Sequence, residues 1–168
     1  WKKEYKNIPL VLINVSKEHL IEEDFVDEYL KIVNKYKIKP NELEIEITES
    51  IATEKNITEI IKKLKKVGFI VSIDDFGTGY SSLSMLQEMP IDVIKIDKKF
   101  IDQINFENKT KNIVQYIVLI AKKLEIKTLA EGVESSEQVK YLKELGSEFV
   151  QGYYYFKPLN KEEFMKLF

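Results

Sequence analysis

The sequence predicts an α/β fold: a parallel (β/α)8 barrel present as about six βα units, the first two missing. Three observations carry this. Six short apolar runs, at residues 9–14, 43–47, 70–74, 93–96, 126–130 and 149–151, alternate with helix-like stretches. The runs are apolar on both sides, as strands covered on both faces should be. Each ends on or beside a polar residue: Asn14, Glu46, Asp74 with Asp75, Lys95, Glu131 and Gln151. In parallel β/α folds the loops after the strands gather on one face, so these side chains are expected to converge there. A closed barrel needs eight strands and typically about 250 residues. Six strands in 168 residues leave an open sheet or a barrel without its first two units, and a chain opening on Trp1, not Met, favours the barrel.

The elements follow in order. After residues 9–14, a helix over 22–37 places Phe25, Val26, Tyr29, Leu30, Val33 and Tyr36 at helical spacing. After 43–47, a helix over 56–67 has an Asn56/Glu59 capping box, an apolar stripe of Ile60, Ile61, Leu64 and Val67, and Gly68 as its stop. After 70–74 come a glycine turn and a short helix over 82–88, stopped by Pro90. After 93–96 the pattern predicts helices over 98–101 and 109–124. After 126–130, Ser135 and Gln138 form a capping box for a helix over 136–145 that ends at Gly146. A terminal helix over 161–167 follows the last strand. No linker or low-complexity tract divides residues 1–168, which read as one domain.

Composition narrows the function. The chain is 44% hydrophobic and 32% charged, with a formal net charge of −2. There is no basic excess to advertise a nucleic-acid polymer or an anionic membrane. With no cysteine there is neither a disulfide framework nor a thiolate metal site. No secretory signal or membrane-spanning run is present, so a cytoplasmic setting is expected, although an upstream domain can tether the parent to a membrane. His19 is the single histidine and sits in a polar segment, so a surface position is expected and a histidine-based zinc site is not.

Four of the seven gathered polar groups are carboxylates, and carboxylates packed together repel unless cations neutralise them. The strongest local signal is Asp74-Asp75-Phe76-Gly77-Thr78-Gly79-Tyr80-Ser81-Ser82. Adjacent carboxylates at a strand end, before a glycine turn, suit a bridging metal site; the same run also fits an acidic turn capped by Ser81 or Ser82. Glu46-Ile47-Thr48-Glu49 puts Glu46 and Thr48 on one strand face and begins a loop at Glu49, but alone it also reads as a solvated strand end with Glu42 and Glu44 as outward charges. Lys95, in an apolar strand, is costly to bury without an anionic partner, which is either the interior carboxylates or a structural aspartate. Glu131-Gly132-Val133-Glu134 can supply a ligand, a base and a loop anchor, whereas Asn14 and Gln151 alone read equally as turn or cap residues. An all-oxygen donor set favours Mg2+ or Mn2+. Lys62, Lys63, Lys65 and Lys66 read as a solvated helix face.

Taken in order, Asn14-Val15-Ser16, Glu46 to Ser50, Asp74 to Leu83, Lys95-Ile96-Asp97, Glu131 to Glu134, Gln151-Gly152-Tyr153 and Lys157-Pro158-Leu159 resemble the EAL domain family of cyclic di-GMP phosphodiesterases. The resemblance implies a (β/α)8 barrel with one antiparallel strand and hydrolysis of cyclic di-GMP to linear pGpG with two Mg2+ or Mn2+ ions, Ca2+ being inhibitory. It assigns Asn14, Glu46, Asp74 and Asp75 as metal ligands, with Asp74 bridging. Lys95 orients the attacking water, and Glu131 stands beside that water as ligand or base. Glu49 anchors the regulatory loop of Phe76, Gly77, Thr78, Gly79, Tyr80, Ser81 and Ser82, which the family links to homodimerisation. Gln151, Glu134 and Asp97 are substrate or supporting contacts. The name-giving Glu-Ala-Leu run and the arginine that follows it are absent from these residues, and Lys98 stands where the family usually has arginine. The expectation is therefore a fragment of an active enzyme that is inactive as cut, poorly stable, prone to edge-mediated association and able to hold at most one metal loosely. The alternative is a degenerate module that binds cyclic di-GMP as a sensor.

Overall fold

The computed structural model describes residues 9–54, 56–79, 83–104 and 108–167, the side chains of Leu83 and Ser84 excepted. Six parallel strands form one sheet in sequential order: β1 (Val11–Asn14), β2 (Leu43–Thr48), β3 (Ile70–Phe76), β4 (Val93–Ile96), β5 (Lys127–Ala130) and β6 (Phe149–Val150). Between them run α1 (Lys17–Leu20), α2 (Phe25–Lys35), a 3-10 turn (Pro40–Glu42), α3 (Glu49–Ala52), α4 (Ile57–Val67), α5 (Leu83–Glu88), α6 (Lys98–Gln103), α7 (Asn108–Lys123) and α8 (Ser136–Leu145), with α9 (Lys161–Met165) last. Sequential order with helical crossovers is the winding of a β/α barrel, open here between β1 and β6.

The outer face of the sheet packs against the helices. Ile45, Ile47, Val71 and Ile73 are fully buried, as are Phe25 and Val33 of α2 and Ile57, Ile61 and Leu64 of α4, in one cluster. Ile96 and Ala130 join Ile101 of α6, Val114 and Val118 of α7 and Leu142 of α8 in a second. Burying these side chains fixes the strand register, since a one-residue slip would turn the whole set to the other face.

Local signals explain most boundaries. Gly68 adopts φ 99° at the end of α4, and its N–H reaches the carbonyls of Leu64 and Lys65. Ser135 and Gln138 form their capping box at the start of α8. The Asn56/Glu59 box does not form: Asn56 takes φ 71° and its side chain makes no capping bond. Glu49 opens a helix, not a loop. Lys65 is also no solvated residue. Its ammonium contacts both Asp92 carboxylate oxygens at 2.6 Å, while Asp92 accepts the Val71 N–H at 2.8 Å. This pins the end of α4 to the starts of β3 and β4. Tyr80, Ser81 and Ser82 lie outside the described residues.

The inner face departs from the expectation of apolar strands. Glu44, Glu46, Ser72 and Lys95 are all buried and alternate with the outward isoleucines and valines. Glu44, expected as an outward charge, is only 3% exposed. Strand alternation puts it on the face of Glu46, two residues on, and the helices already cover the other face.

The Asp92 contacts are charge-assisted and half sheltered, so Asp92→Ala should lower unfolding free energy by about 1.5–3 kcal/mol. Glu59→Ala, which removes an exposed pair with Lys62, should change it by less than about 0.5 kcal/mol. Urea unfolding of both variants checks the contrast.

Candidate metal centre

Lys95 is the hub. It stands on β4, with its side chain on the inner face and only 5% exposed. Its Nζ lies 2.6 Å from Glu46 Oε1, 2.7 Å from Glu131 Oε1 and 3.1 Å from Asp74 Oδ1. Three strands besides its own thus deliver a carboxylate to one ammonium. Burial by itself pulls the pKa of this lysine down. Its hydrogen bonds with Glu131 and Glu46 and their negative charge outweigh that and hold its pKa above the usual lysine range.

The carboxylates are not equivalent. Burial pushes Glu46 up to about 7, opposed by the hydrogen bond from Lys95 and reinforced by Asp74. Asp74 feels the same burial, but the hydrogen bond with Glu46 and the charge of Lys95 hold it below the usual range. A proton shared by this pair therefore resides on Glu46. Asp75 is raised by burial, then by its contact with Asp97 and by the charges of Asp74, Asp97 and Glu131. It also holds φ 55°, rare outside glycine. Such strain next to crowded charge is characteristic of functional sites.

These features fit a divalent cation. Asp74, Asp75 and Glu131 each offer an oxygen, and the three atoms lie within 4.8 Å of one another. Asp74 Oδ1 is buried in no well-formed hydrogen bond among the described residues, with the Lys95 ammonium 3.1 Å away. Three carboxylates (Glu46, Asp74, Glu131) contact one lysine and Asp75 stands beside two of them, so negative charge remains to be matched. Asn14 stands in register with Glu46 across β1 and β2, at the same sheet end, with an exposed side chain.

The loop after β3 is tethered from beneath. Glu49, 2% exposed, accepts the N–H groups of Gly77 at 2.8 Å and Gly79 at 3.2 Å. A Cβ on Gly79 would sit 2.9 Å from Glu49 Oε1, so a larger residue there would press on the carboxylate that holds the loop. Thr78 closes the turn onto the Asp75 carbonyl. Phe76 is buried beneath it. The tether thus ties the Glu49 helix to the backbone carrying Asp74 and Asp75.

The remaining candidates lie at the margin. Asp97 caps α6 by accepting the Lys99 N–H at 2.7 Å, and it neighbours Asp75. Glu134 is exposed and pairs with Lys98 at 2.7 Å. Gln151 anchors β6 through backbone bonds to Ala130 and Val133, and its exposed side chain lines the barrel interior. Gly152 approaches Val133 so closely that a Cβ would lie 2.1 Å from the Val133 carbonyl oxygen. His19 stacks edge-on against Phe25 at 5.1 Å, half-buried and remote in sequence from the carboxylate strands. It groups with Glu22 and Glu28, a trio that composition alone did not suggest. Two residues that sequence reasoning did not place in the interior, Glu44 and Ser72, share the inner face; the period-2 spacing of Glu44 from Glu46, and of Ser72 from Asp74, was the available signal.

The EAL domain family model matches residues 1–158. The chain belongs to the EAL domain family. This EAL chain is 37% identical over 157 residues to the probable cyclic di-GMP phosphodiesterase PdeB of Escherichia coli, covering 93% of this chain and 30% of PdeB. Its structure resembles the Pseudomonas aeruginosa MucR phosphodiesterase in complex with cyclic di-GMP, with a TM-score of 0.87, 34% identity, and coverage of 91% of this chain and 63% of that one. It also resembles Klebsiella pneumoniae BlrP1 in a manganese and cyclic di-GMP complex, with a TM-score of 0.78, 30% identity, and coverage of 85% and 37%. The EAL chain therefore spans about a third of the length of the curated relative. Among the described residues no helix is long and apolar enough to cross a membrane.

Two outcomes test the electrostatics. Removing Lys95 leaves buried carboxylates uncompensated, so Lys95→Ala should destabilise the metal-free protein by about 3–5 kcal/mol, and added Mn2+ should recover part of the loss in thermal unfolding. A carboxyl raised in the folded state holds its proton more tightly there than when unfolded. The stability it contributes is complete below about 4.5 and is lost as pH rises through about 7. Metal-free Glu46→Gln should flatten that decline, measured by urea midpoints from pH 4.5 to 8.

Proposed function

We propose that this chain forms the metal-binding part of a cyclic di-GMP phosphodiesterase domain that hydrolyses its substrate to linear pGpG. The observation that carries the reading is the Lys95 hub. Three carboxylates, Glu46, Asp74 and Glu131, close on one buried ammonium with Asp75 beside two of them, leaving an excess of negative charge at the loop end of the sheet. The names of the relatives supply the substrate: MucR is described in complex with cyclic di-GMP.

Asp74, Asp75, Glu46 and Glu131, with Asn14 beside them, would hold Mg2+ or Mn2+ ions. When bound, the ions supply charge neutralisation, an acidified water and a clamp on the phosphate. Lys95 has three donors and loses carboxylate partners as cations take them. It is then free to donate to the attacking water and to the phosphate oxygens. Glu131, 2.7 Å from Lys95 Nζ, would accept the water proton. Glu49 keeps the Asp74–Asp75 backbone in place through Gly77 and Gly79. Asp97, Glu134 and Gln151 form the rim, where substrate edges would be met. Calcium binds the same oxygens with longer, looser geometry and should inhibit.

The sequence contains no Glu-Ala-Leu run, and the reading assigns that glutamate to the remainder of a complete domain. The 168 residues by themselves are expected to take up one cation weakly, to associate through the apolar edges of β1 and β6 into dimers or larger species, and to turn over little substrate. The setting we infer is cytoplasmic.

The test is a chimera in which this chain replaces its counterpart in the MucR phosphodiesterase. It should produce pGpG with Mg2+ or Mn2+, and Asp74→Asn should lower kcat at least about a hundredfold. Cyclic di-GMP binding without turnover by the chimera would support a sensor instead. Full activity of Asp74→Asn in excess Mg2+ would overturn the two-metal assignment.

A further inference from the structure

Below the carboxylates the inner face of the sheet opens on a cavity of about 610 Å3, walled by Leu10, Leu12, Ile70, Leu129 and Phe149. Glu44 stands on this wall. It is 97% buried, yet its Oε1 has no hydrogen-bond partner among the described residues. Ser72, on the neighbouring strand and the same face, is fully buried with Oγ equally unpartnered. Among the described residues the one cation on the cavity wall is Lys127, which is turned over the Phe149 ring, 5.8 Å from its centroid. A carboxylate withdrawn from water requires a donor.

We propose that Glu44 is the anchoring acceptor for the part of the barrel that closes this sheet. A Lys, Arg, His or Tyr side chain on strands pairing along β1 and β6 enters the cavity and donates to Glu44 Oε1. The proposal rests on membership of the EAL family and not on catalytic activity, so the two can fail separately. Three observations select this occupant. Among the described residues β1 and β6 each have a single strand neighbour, so two edges await pairing. Leu10, Leu12 and Phe149 are 39%, 37% and 47% exposed along those edges, suited to further strands. This chain covers only 63% of the MucR phosphodiesterase, so over a third of that chain has no counterpart here. A second copy of this chain brings another unmatched Glu44 and the same open edges, and a small cation would leave both edges unpaired.

The test mixes the 168-residue chain with the part of the MucR phosphodiesterase that it does not cover. Light scattering should find a one-to-one complex. Glu44→Gln keeps the shape and should weaken binding at least tenfold by titration calorimetry, while Glu59→Gln on the outer helix should not. Glu44→Asp, retaining charge with shorter reach, should fall between. Alanine replacement of each Lys, Arg, His and Tyr of the added polypeptide should reveal one residue whose loss costs nothing further in the Glu44→Gln background. Absence of a complex, equal affinity of Glu44→Gln, no coupled donor, or homo-oligomers persisting in excess polypeptide would each overturn the proposal.

Discussion

The salt-bridge cluster at Lys95 is the constraint around which the molecule is arranged. An ammonium 5% exposed cannot stay charged without anions, and anions at that density cannot coexist without it. Satisfying both requires Glu46 from β2, Asp74 from β3 and Glu131 from the end of β5 to arrive within about hydrogen-bond distance of one atom. Parallel strands in sequential order do this because their carboxyl ends share one level. The isoleucines and valines between them lock that level by burying the opposite face. The core thus serves the site by fixing register.

The same economy appears in the loop after β3. Asp74 and Asp75 are held from two sides: Lys95 attracts the side chain of Asp74, and Glu49 binds the backbone further along through Gly77 and Gly79. Asp75 pays for this with a left-handed backbone. A buried glutamate satisfied by backbone N–H groups links helix α3 to the position of two candidate ligands. Movement of either is therefore felt by the other, which gives a loop-to-site coupling a physical basis.

Two kinds of buried carboxylate share the inner face. Glu46 has a cation and a carboxylate neighbour, and the balance leaves it half ready to release its proton near neutrality. Glu44 lies two residues earlier, its Oε1 without a hydrogen-bond partner among the described residues. Their difference lies in what faces them across the barrel: Lys95 in one case and an open cavity in the other. Stability and function meet here, because groups made costly by burial become useful once a partner arrives.

Much was legible in the chain itself. Alternating apolar runs and helical stripes gave six βα units with boundaries within a few residues, since period and capping chemistry are local. Gly68, Ser135, Gln138 and Gly146 act as their types require. The ordered motifs also placed Asp74, Lys95 and Glu131 in one family and one site. What sequence could not decide was orientation and company. Asn56 has the right type for a cap, but its backbone enters the helix from the left-handed region. Lys65 looks like its solvated neighbours until Asp92 lies beside it. Glu44 reads as outward until the helices claim the other face of β2. Each of these depends on residues distant in the chain, so only the tertiary structure, which sets who stands opposite whom, could determine them.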